Sequence, residues 1–292
     1  MNVLSLFNGM STGHTALDNV GIKVYKYYSS EIKPAAIKLT QHHYPDTIQL
    51  GDVTKWKEWD INWKEIDMVL SGSPCQDLSQ AGNQSQRKGL EGERSSLFWV
   101  FADILNYIKE LNSNVLFLQE NVGSAPKGDV GIMSRALGVY PVRINSSLVT
   151  AQMRDRYYWS NIRTIADGFF GDIATDIPQP ENRKIMLKDI ITSGVVDKDK
   201  HSCLNTNSGQ INEKNYKQDY LKRRNNTTGM ITLIKEEEFV RTCNKAEMCR
   251  LQGFPDDWCD ILTDAEAGNL LGDGWTLPII EHIFSFIKKG NK

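Results

Sequence analysis

The sequence predicts an α/β fold in which a mostly parallel sheet is flanked by helices. Three apolar runs, at 2–7, 66–70 and 115–118, have the length and composition of buried strands. Between the second run and the third, Leu97 to Leu111 carries apolar residues at helical spacing. Strands that alternate with helices in this order are typical of parallel sheets.

Length, charge and cysteine usage limit the class of protein. A chain of 292 residues can bury a large core, as one large domain or as a large and a small one. The net charge of −2 gives no overall basic field, although such a protein can still be basic within a cleft. Five cysteines without a C-x-x-C pair argue against a disulfide framework and a zinc site, so no metal is predicted. No apolar stretch is long enough to span a membrane, and we expect a soluble intracellular protein.

A polar turn with two glycines follows the first strand. Residues 8–13 are Asn-Gly-Met-Ser-Thr-Gly, and helical spacing begins at Ala16. A strand, a glycine turn and a helix in this order can cradle a nucleotide-type cofactor, because the glycines let the backbone approach it. The dinucleotide pattern G-x-G-x-x-G is absent, so a plain turn is the alternative.

Two carboxylates follow the next two predicted strands. Glu31 ends the strand Lys23 to Ser30, where it can accept hydrogen bonds from both hydroxyls of a ribose. Its alternative role is a charge near the N-terminus of the helix that Pro34 starts. Asp52 follows a third short segment, and its carboxylate can accept from an adenine amino group. Together with the glycine turn, the two acids favour a nucleoside site.

Cys75 is the candidate nucleophile. It follows the buried strand at 66–70 and comes directly after Pro74, at the sheet edge where open α/β folds bind their ligands. The fixed φ angle of proline would hold the thiol at a set angle. The alternative is a structural cysteine, since free cysteines are mostly buried and inert.

Acidic and basic side chains accompany the later strands. Glu120 follows the third apolar run, where it could donate a proton to a ring nitrogen of a substrate or cap the next segment. Arg154 and Arg156 lie between two β-rich runs, and two residues apart on a strand they would share a face. Such a pair suits phosphate or carbonyl oxygens, whereas an ion pair with Asp155 is the simpler alternative.

The composition changes at about residue 164, where Asp, Asn, Lys, Thr and Gly begin to dominate and apolar runs become short. We therefore predict a large domain at 1–163, a small separate region at 164–244 and a C-terminal segment at 245–292. A basic and polar cluster lies within the small region, at 222–226. It is either a solvated loop or a set of phosphate and base contacts.

In their order and spacing, these motifs resemble the DNA (cytosine-5)-methyltransferase family, most of all the catalytic domain of the mammalian de novo enzymes. The resemblance covers nearly the whole chain outside about 164–242. It rests on Glu31, Asp52 and five segments, at 7–13, 73–76, 120–122, 152–156 and 272–278. It implies the Rossmann-like fold of S-adenosylmethionine-dependent methyltransferases, with target recognition in the small region and a C-terminal helix that returns beside the first strand.

The resemblance also implies an activity and a cofactor. A methyl group would pass from S-adenosyl-L-methionine to C5 of a cytosine flipped out of double-stranded DNA, through a covalent adduct between Cys75 and C6. Glu120 would hold N3 and the exocyclic amine of the base, and Arg156, with Arg154 beside it, would bind its O2. The cofactor would be bound by Phe7, Asn8, Gly9, Met10, Thr12, Gly13, Glu31, Ile32, Asp52, Val53, Asp273, Gly274 and Trp275.

DNA contacts are expected from two stretches. One would fill the space that the flipped base vacates, and the other would bind phosphate and read base edges. The first stretch comprises Ser79, Gln80 and Ala81. The second comprises Lys222, for phosphate, and Arg223, Arg224 and Asn225, for base edges.

Two positions depart from the family pattern: Asn8, where many members carry Asp, and Asp273, where the de novo enzymes carry Arg. Two other functions stay open, a transfer RNA cytosine methyltransferase of the same fold and a non-catalytic DNA-binding regulator. The filled nucleophile, acid and arginine positions argue against the regulator. We expect a bacterial or phage-encoded protein that acts in the cytoplasm, and we leave open its recognition sequence and whether it is a monomer or a dimer.

Overall fold

The computed structural model describes residues 1–74, 97–167, 171–196, 198–204 and 232–288. Within these residues the main sheet has seven strands, in the order β3-β2-β1-β4-β5-β7-β6. The strands are β1 Asn2–Leu6, β2 Lys26–Ser30, β3 Ile48–Gln49, β4 Met68–Ser71, β5 Leu116–Val122, β6 Val142–Asn145 and β7 Asp155–Ser160.

The main sheet is parallel from β3 through to β5, and β7 pairs with β5 in the antiparallel direction. The inner strands β1 and β4 bury nearly all their side chains, as expected where both faces of a parallel sheet are covered. The carboxyl ends of β1, β2, β4 and β5 therefore lie along one edge, where open α/β sheets bind ligands. The predicted α/β fold with a mostly parallel sheet is confirmed.

Four helices lie between these strands along the chain: α1 Thr12–Asn19, α2 Pro34–His43, α3 Leu97–Leu111 and α4 Lys127–Leu137. Proline opens α2 because its fixed φ angle and missing N–H suit a first helical turn. α3 buries one face, since its apolar residues recur three and four positions apart. Short 3-10 helices lie at Val53–Glu58, Trp63–Glu65, Ser146–Leu148 and Leu187–Asp189.

The core of the sheet forms against this face of α3. Phe101, Ile104 and Ile108 of α3 are completely buried and belong to one apolar cluster with Val69 of β4 and Phe117 of β5. Burying a large apolar side chain contributes about 1.5–3 kcal/mol relative to leaving it exposed. α3 therefore helps to fix β4 and β5, whose carboxyl ends carry two of the predicted motifs.

Contacts divide the chain into two units. The first unit comprises Met1–Ile144, Asp155–Gln179 and Glu281–Lys292. The second unit comprises Asn145–Arg154 and Pro180–Ile280. The predicted boundaries, after 163 and after 244, are not the places where the contacts divide the chain.

A polar hairpin accounts for part of this difference. It consists of β8 Thr164–Asp167 and β9 Asp172–Thr175, and it belongs to the first unit. Tyr140 fixes it there, because the Tyr140 N–H donates to the Ile173 carbonyl at 2.8 Å and the Tyr140 carbonyl accepts from the Thr175 N–H at 2.9 Å. Backbone pairing of this kind does not depend on apolar side chains. The composition change near residue 164 therefore does not mark the boundary between the units.

Hydrogen bonds to one buried glutamate connect elements of the second unit. Its elements are α5 Lys245–Gln252, α6 Asp264–Asp273, β10 Ile234–Lys235 and β11 Val240–Arg241. Arg241 donates to both carboxylate oxygens of the fully buried Glu247, at 2.7 and 2.9 Å. Thr192 donates to the same carboxylate through its N–H and its hydroxyl, at 2.7 and 2.8 Å. These bonds explain why α5 groups with the second unit.

The last helix, α7 Leu277–Phe284, contains the division between the units at Glu281. Glu281 accepts a 2.6 Å hydrogen bond from Asn19 at the end of α1. The ring of His282 bonds the carbonyl of Pro178 at 2.8 Å. The chain end therefore returns to the first unit beside α1, the helix that follows the first strand.

The described part of the chain shows neither a membrane-spanning helix nor a metal-type cluster. Its helix α3 has 15 residues, and none of its helices combines the length and the apolar character needed to cross a membrane. Within the same residues, no three His, Cys, Asp or Glu side chains come together in a way that could hold a metal ion.

Candidate active site

The loop after β1 has a left-handed backbone at alternate residues. Phe7, Gly9 and Ser11 have φ angles of 56°, 57° and 58°. Glycine adopts this conformation freely, but for Phe7 and Ser11 each such angle costs on the order of 1–3 kcal/mol unless the surroundings hold it. Backbone strain of this kind clusters at ligand-binding sites. The strained segment is the turn that the sequence predicts to cradle a cofactor.

Glu31 joins this loop to the end of β2. Its Oε2 accepts from the Gly9 N–H at 2.9 Å, and its Oε1 accepts from the N–H groups of Ile32 at 2.8 Å and Lys33 at 2.9 Å. Lys33 is the N-cap of α2, so the carboxylate also lies at the N-terminus of that helix. One side chain therefore lies beside the glycine turn and also at the start of α2, where the alternative role as a helix-terminal charge requires it.

Asp52 follows β3 and has one carboxylate oxygen engaged. Its Oδ1 accepts from the N–H and the hydroxyl of Thr54, at 2.9 and 2.8 Å, and these bonds hold the pKa of Asp52 below its usual value. Within the described residues no hydrogen bond involves Oδ2, which can accept from a ligand. The Ser30 hydroxyl, at the end of β2, donates to the Gly51 carbonyl at 2.7 Å. Asp52 is thereby held at the same edge as Glu31.

The other predicted cofactor residues of the first unit differ in exposure. Met10 is buried, and Thr12 and Gly13 are buried in the first turn of α1. A Cβ atom on Gly13 would lie 2.4 Å from a leucine side chain of β4, so this glycine lets α1 pack closely on the sheet. Val53 is buried, whereas Ile32 is 68% exposed. Gly13 therefore has a packing role in the structure. The sequence analysis had assigned this residue to cofactor binding alone.

A glutamine holds the segment that leads to Cys75. Gln119, fully buried in β5, donates its side-chain amide to the Ser73 hydroxyl and to the Glu120 carbonyl, each at 2.8 Å. Sequence analysis did not single out Gln119, although a polar residue next to an apolar run was a visible signal. Cys75 lies outside the described residues, as do the predicted DNA contacts Ser79, Gln80, Ala81, Lys222, Arg223, Arg224 and Asn225.

Glu120 and Arg156 form an ion pair between β5 and β7. Nε of Arg156 lies 2.7 Å from Oε1 of Glu120, and the two side chains are only 13% and 11% exposed. The antiparallel register sets Glu120 opposite Tyr158 and Arg156 opposite Val122, so the two charged side chains share one face of the sheet. Because Glu120 lies inside β5, the alternative role as a cap of the next segment is wrong.

Arg154 precedes β7 and does not share a strand face with Arg156, so the predicted pair of arginines on one strand is wrong. Arg154 is buried in the second unit. Its guanidinium donates to the carbonyls of Leu204 at 3.3 Å, Gly272 at 3.1 Å and Gly274 at 2.8 Å. All three acceptors are backbone carbonyls, and two of them lie at 272–274. Arg154 therefore stabilises the backbone of this closing segment of the chain.

The acid between the two arginines has another partner. The carboxylate of Asp155 forms an ion pair with Arg143. Arg156 donates to the backbone carbonyl of Asp155, at 2.8 Å, and forms its ion pair with Glu120. The simpler alternative, an ion pair between the arginine motif and Asp155, is therefore wrong.

The closing segment after α6 follows a fixed path inside the second unit. Asp273 ends α6 and is exposed, whereas Gly274 and Trp275 are half-buried. The fully buried Gln252 accepts from the Thr276 hydroxyl at 2.9 Å and donates to the Gly274 carbonyl at 3.3 Å. Together with Arg154, Gln252 fixes the backbone whose side chains were predicted to close the cofactor site.

The fold of the chain is shared with solved methyltransferase structures. The Entamoeba histolytica methyltransferase EhMeth matches with a TM-score of 0.66 over 98% of this chain and 97% of that one, at 15% identity. The Dnmt2 methyltransferase of S. pombe matches with a TM-score of 0.64 over 98% of each chain, at 16% identity. At these identities the likeness concerns the fold.

The sequence matches the family model of the C-5 cytosine-specific DNA methylases over residues 1–131 and 143–289. The matched residues make up most of the chain and include Glu31, Asp52, Glu120 and Arg156. The chain belongs to the C-5 cytosine-specific DNA methylase family, and the predicted family is confirmed.

Three named relatives match this chain over segments of different length. The orphan methyltransferase M.SPRI of Bacillus phage SPR is 32% identical over 175 residues, which are 56% of this chain and 38% of that protein. The type II methyltransferase M.NlaIV of Neisseria lactamica is 36% identical over 41% of this chain and 27% of that protein. The type II methyltransferase M1.ScrFI of Lactococcus lactis subsp. cremoris is 28% identical over 89% of this chain and 71% of that protein. The chain thus spans well under half the length of the first two relatives.

Proposed function

We propose that this chain transfers a methyl group from S-adenosyl-L-methionine to C5 of cytosine in double-stranded DNA. The observation that carries the proposal is the nearly buried pair of Glu120 and Arg156 at the carboxyl edge of the sheet. The chain that contains this pair is a member of the C-5 cytosine-specific DNA methylase family. A carboxyl group can bond N3 and the exocyclic amine of cytosine, and a guanidinium can donate to O2. Two adjacent side chains therefore match the polar edge of a single cytosine ring.

The residues at the sheet edge fit the cofactor. Oε2 of Glu31 accepts one hydrogen bond, from Gly9, and so retains acceptor capacity for a ribose hydroxyl. Oδ2 of Asp52 can accept from the adenine amino group, and the depressed pKa of Asp52 keeps it an acceptor. We propose that these acids and the loop 7–13 hold S-adenosyl-L-methionine, flanked by Ile32 and Val53 and closed by 273–275. The bound cofactor supplies an electrophilic methyl group.

The protein's own residues activate the base. The thiolate of Cys75 adds to C6, and the new sulfur–carbon bond makes C5 nucleophilic. Glu120 holds N3 and the amine while Arg156 donates to O2, and both stabilise the charge that the ring acquires. Once C5 carries the methyl group, loss of the C5 proton lets the bond between Cys75 and C6 break and frees the thiol.

The base must leave the duplex before this chemistry can occur. Flipping a paired base out of the stack costs roughly a few kcal/mol, which protein contacts must offset. We propose that Ser79, Gln80 and Ala81 fill the vacated space. We further propose that Lys222 binds phosphate, while Arg223, Arg224 and Asn225 read base edges.

Replacing Glu31 with alanine should weaken the binding of S-adenosylhomocysteine by roughly 1.5–3 kcal/mol, because a hydrogen bond to a charged group is lost. The melting temperature should also fall, since three backbone N–H groups lose their acceptor. Calorimetric titration and thermal unfolding measure the two effects separately. Glu65→Ala, which removes an exposed carboxylate on the same unit, is the control and should leave the affinity unchanged. A lower melting temperature with unchanged affinity would leave Glu31 with a structural role alone.

The substrate is tested by incubating the purified chain with tritiated S-adenosyl-L-methionine and either genomic duplex DNA or bulk transfer RNA. Genomic DNA offers many sequence contexts, so an unknown recognition sequence does not hide activity. We expect label in the DNA and 5-methylcytosine in its nucleoside digest. Label in transfer RNA alone would replace the proposed substrate. Binding of S-adenosylhomocysteine without label in either nucleic acid would favour a regulator.

A further inference from the structure

A cluster of four polar side chains lies beneath the loop that follows β1. We call Asn8, Ser11, Tyr27 and Thr40 the polar brace. The amide nitrogen of Asn8 donates to the hydroxyls of Ser11 at 2.7 Å and Thr40 at 3.2 Å, and these two hydroxyls are 2.9 Å apart. The Tyr27 hydroxyl donates to the amide oxygen of Asn8 at 3.1 Å. No member of the brace is more than 9% exposed, so its bonds are shielded from competing water.

The brace is built into the strained part of the loop. Asn8 lies between Phe7 and Gly9, and both neighbours have left-handed backbones. Ser11 is also left-handed and is the N-cap of α1, yet its hydroxyl makes no capping bond and belongs to the brace instead. Phe7, whose left-handed backbone is unfavourable, thus neighbours the polar brace, and Ser11, with the same kind of backbone, belongs to it. The network holds them in place, since strained residues persist only where the surroundings over-determine them.

Tyr27 connects the polar brace to the main sheet. Its ring, in β2, stacks on His14 of α1 at 4.3 Å, and His14 stacks in turn on Tyr44 at 3.8 Å. This packing aims the hydroxyl at Asn8 and fixes its position. Burial raises the pKa of Tyr27 and lowers the pKa of His14 to about 4, so both rings stay neutral and the hydroxyl remains a donor.

We propose that Tyr27, acting through Asn8, is a positioning residue that keeps the loop 7–13 in the conformation that binds the cofactor. The inference rests on the proposed function and extends it to side chains that need not touch the ligand. Asn8 was predicted to bind the cofactor, but both of its amide protons and its amide oxygen are engaged within the brace. An asparagine suits this position because it donates and accepts at once, whereas a carboxylate only accepts.

The test compares Tyr27→Phe with Tyr28→Phe. Tyr28 lies in the same strand, is similarly buried and belongs to the apolar core, so its variant is a matched loss of one hydroxyl. If the loop is correctly arranged only about a tenth of the time without the Tyr27 hydroxyl, the affinity for S-adenosylhomocysteine falls about tenfold. We expect this fall in Tyr27→Phe, together with a raised KM for the cofactor and a nearly unchanged kcat. Tyr28→Phe should bind like the wild type.

A double variant separates positioning from general stability. In an Asn8→Ala background the loop has already lost the acceptor of the Tyr27 hydroxyl, so adding Tyr27→Phe should lower the affinity no further. Effects that multiply in the double variant would show that Tyr27 acts through another group. A Tyr27→Phe protein with a lowered melting temperature and wild-type affinity would also overturn the proposal, because its role would be structural only.

Hydrogen exchange distinguishes a failure of this proposal from a failure of the proposed function. The amides of Gly9 and Ser11 are bonded within the loop region, to Glu31 and to the Asn8 carbonyl. Without any ligand, peptides covering 7–13 should exchange faster in Tyr27→Phe than in Tyr28→Phe. Equal exchange would overturn the positioning role. A wild-type chain that does not bind S-adenosylhomocysteine would instead overturn the proposed cofactor, whatever the exchange result.

Discussion

Replacing Cys75 with serine should abolish methyl transfer while duplex DNA and S-adenosylhomocysteine still bind. A cysteine thiol titrates near ~8.5 and can be further activated by its surroundings, whereas a serine hydroxyl stays protonated and adds poorly to C6. DNA that contains 5-fluorocytosine measures the step directly, because fluorine at C5 prevents the elimination that would free the thiol. Wild-type protein should form an adduct that survives denaturation, and Cys75→Ser should form none.

Cys203→Ser is the matched control for this experiment. Cys203 is half-buried, and its sulfur accepts a hydrogen bond from Arg154 at 3.2 Å, which a serine oxygen can also accept. The control should therefore trap DNA and methylate it as the wild type does. Methylation by Cys75→Ser at a near-normal rate, or loss of the adduct in Cys203→Ser, would assign the nucleophile to another residue.

The fold could be predicted where a pattern is long and regular. α3 covers Leu97–Leu111, the range that its apolar spacing predicts. β5 is different, because it continues through Val122, past the apolar run that ends at Leu118. The polar end of β5 is stabilised by backbone hydrogen bonds to β7. The hydropathy of β5 does not reveal this pairing, because backbone groups form it. The hairpin at 164–175 was assigned by composition to the wrong part of the chain for the same reason.

The site could be predicted as a set of residue types, but their partners could not. Glu31 and Glu120 were singled out by their places at strand ends, and the structure sets both at the carboxyl edge of the sheet. That Glu120 pairs with Arg156 follows from the antiparallel register of two strands far apart in sequence. Arg154 is two residues away and yet belongs to the other unit, because the strand begins only after it.

Replacing Glu120 with glutamine should lower kcat by about 10²–10⁴-fold, the usual contribution of a positioned acid or base. The amide keeps the shape of the side chain but has no charge and cannot give a proton to N3. The change also removes the negative charge that faces Arg156, at a site where the side chains are 13% and 11% exposed. Breaking a buried pair in this way destabilises by roughly 3–5 kcal/mol, so a simple loss of folded protein must be separated from a loss of chemistry.

The double variant Glu120→Gln with Arg156→Gln makes this separation. Two neutral amides can bond each other across β5 and β7, and removing both charges of a buried pair is far less destabilising than removing one. Thermal unfolding should therefore show that the double variant recovers most of the stability that Glu120→Gln loses. Its methyl transfer should remain at the low rate, because neither N3 nor O2 of the base finds its charged partner. Activity that returns together with stability would show that the ion pair holds the two strands and takes no part in the reaction.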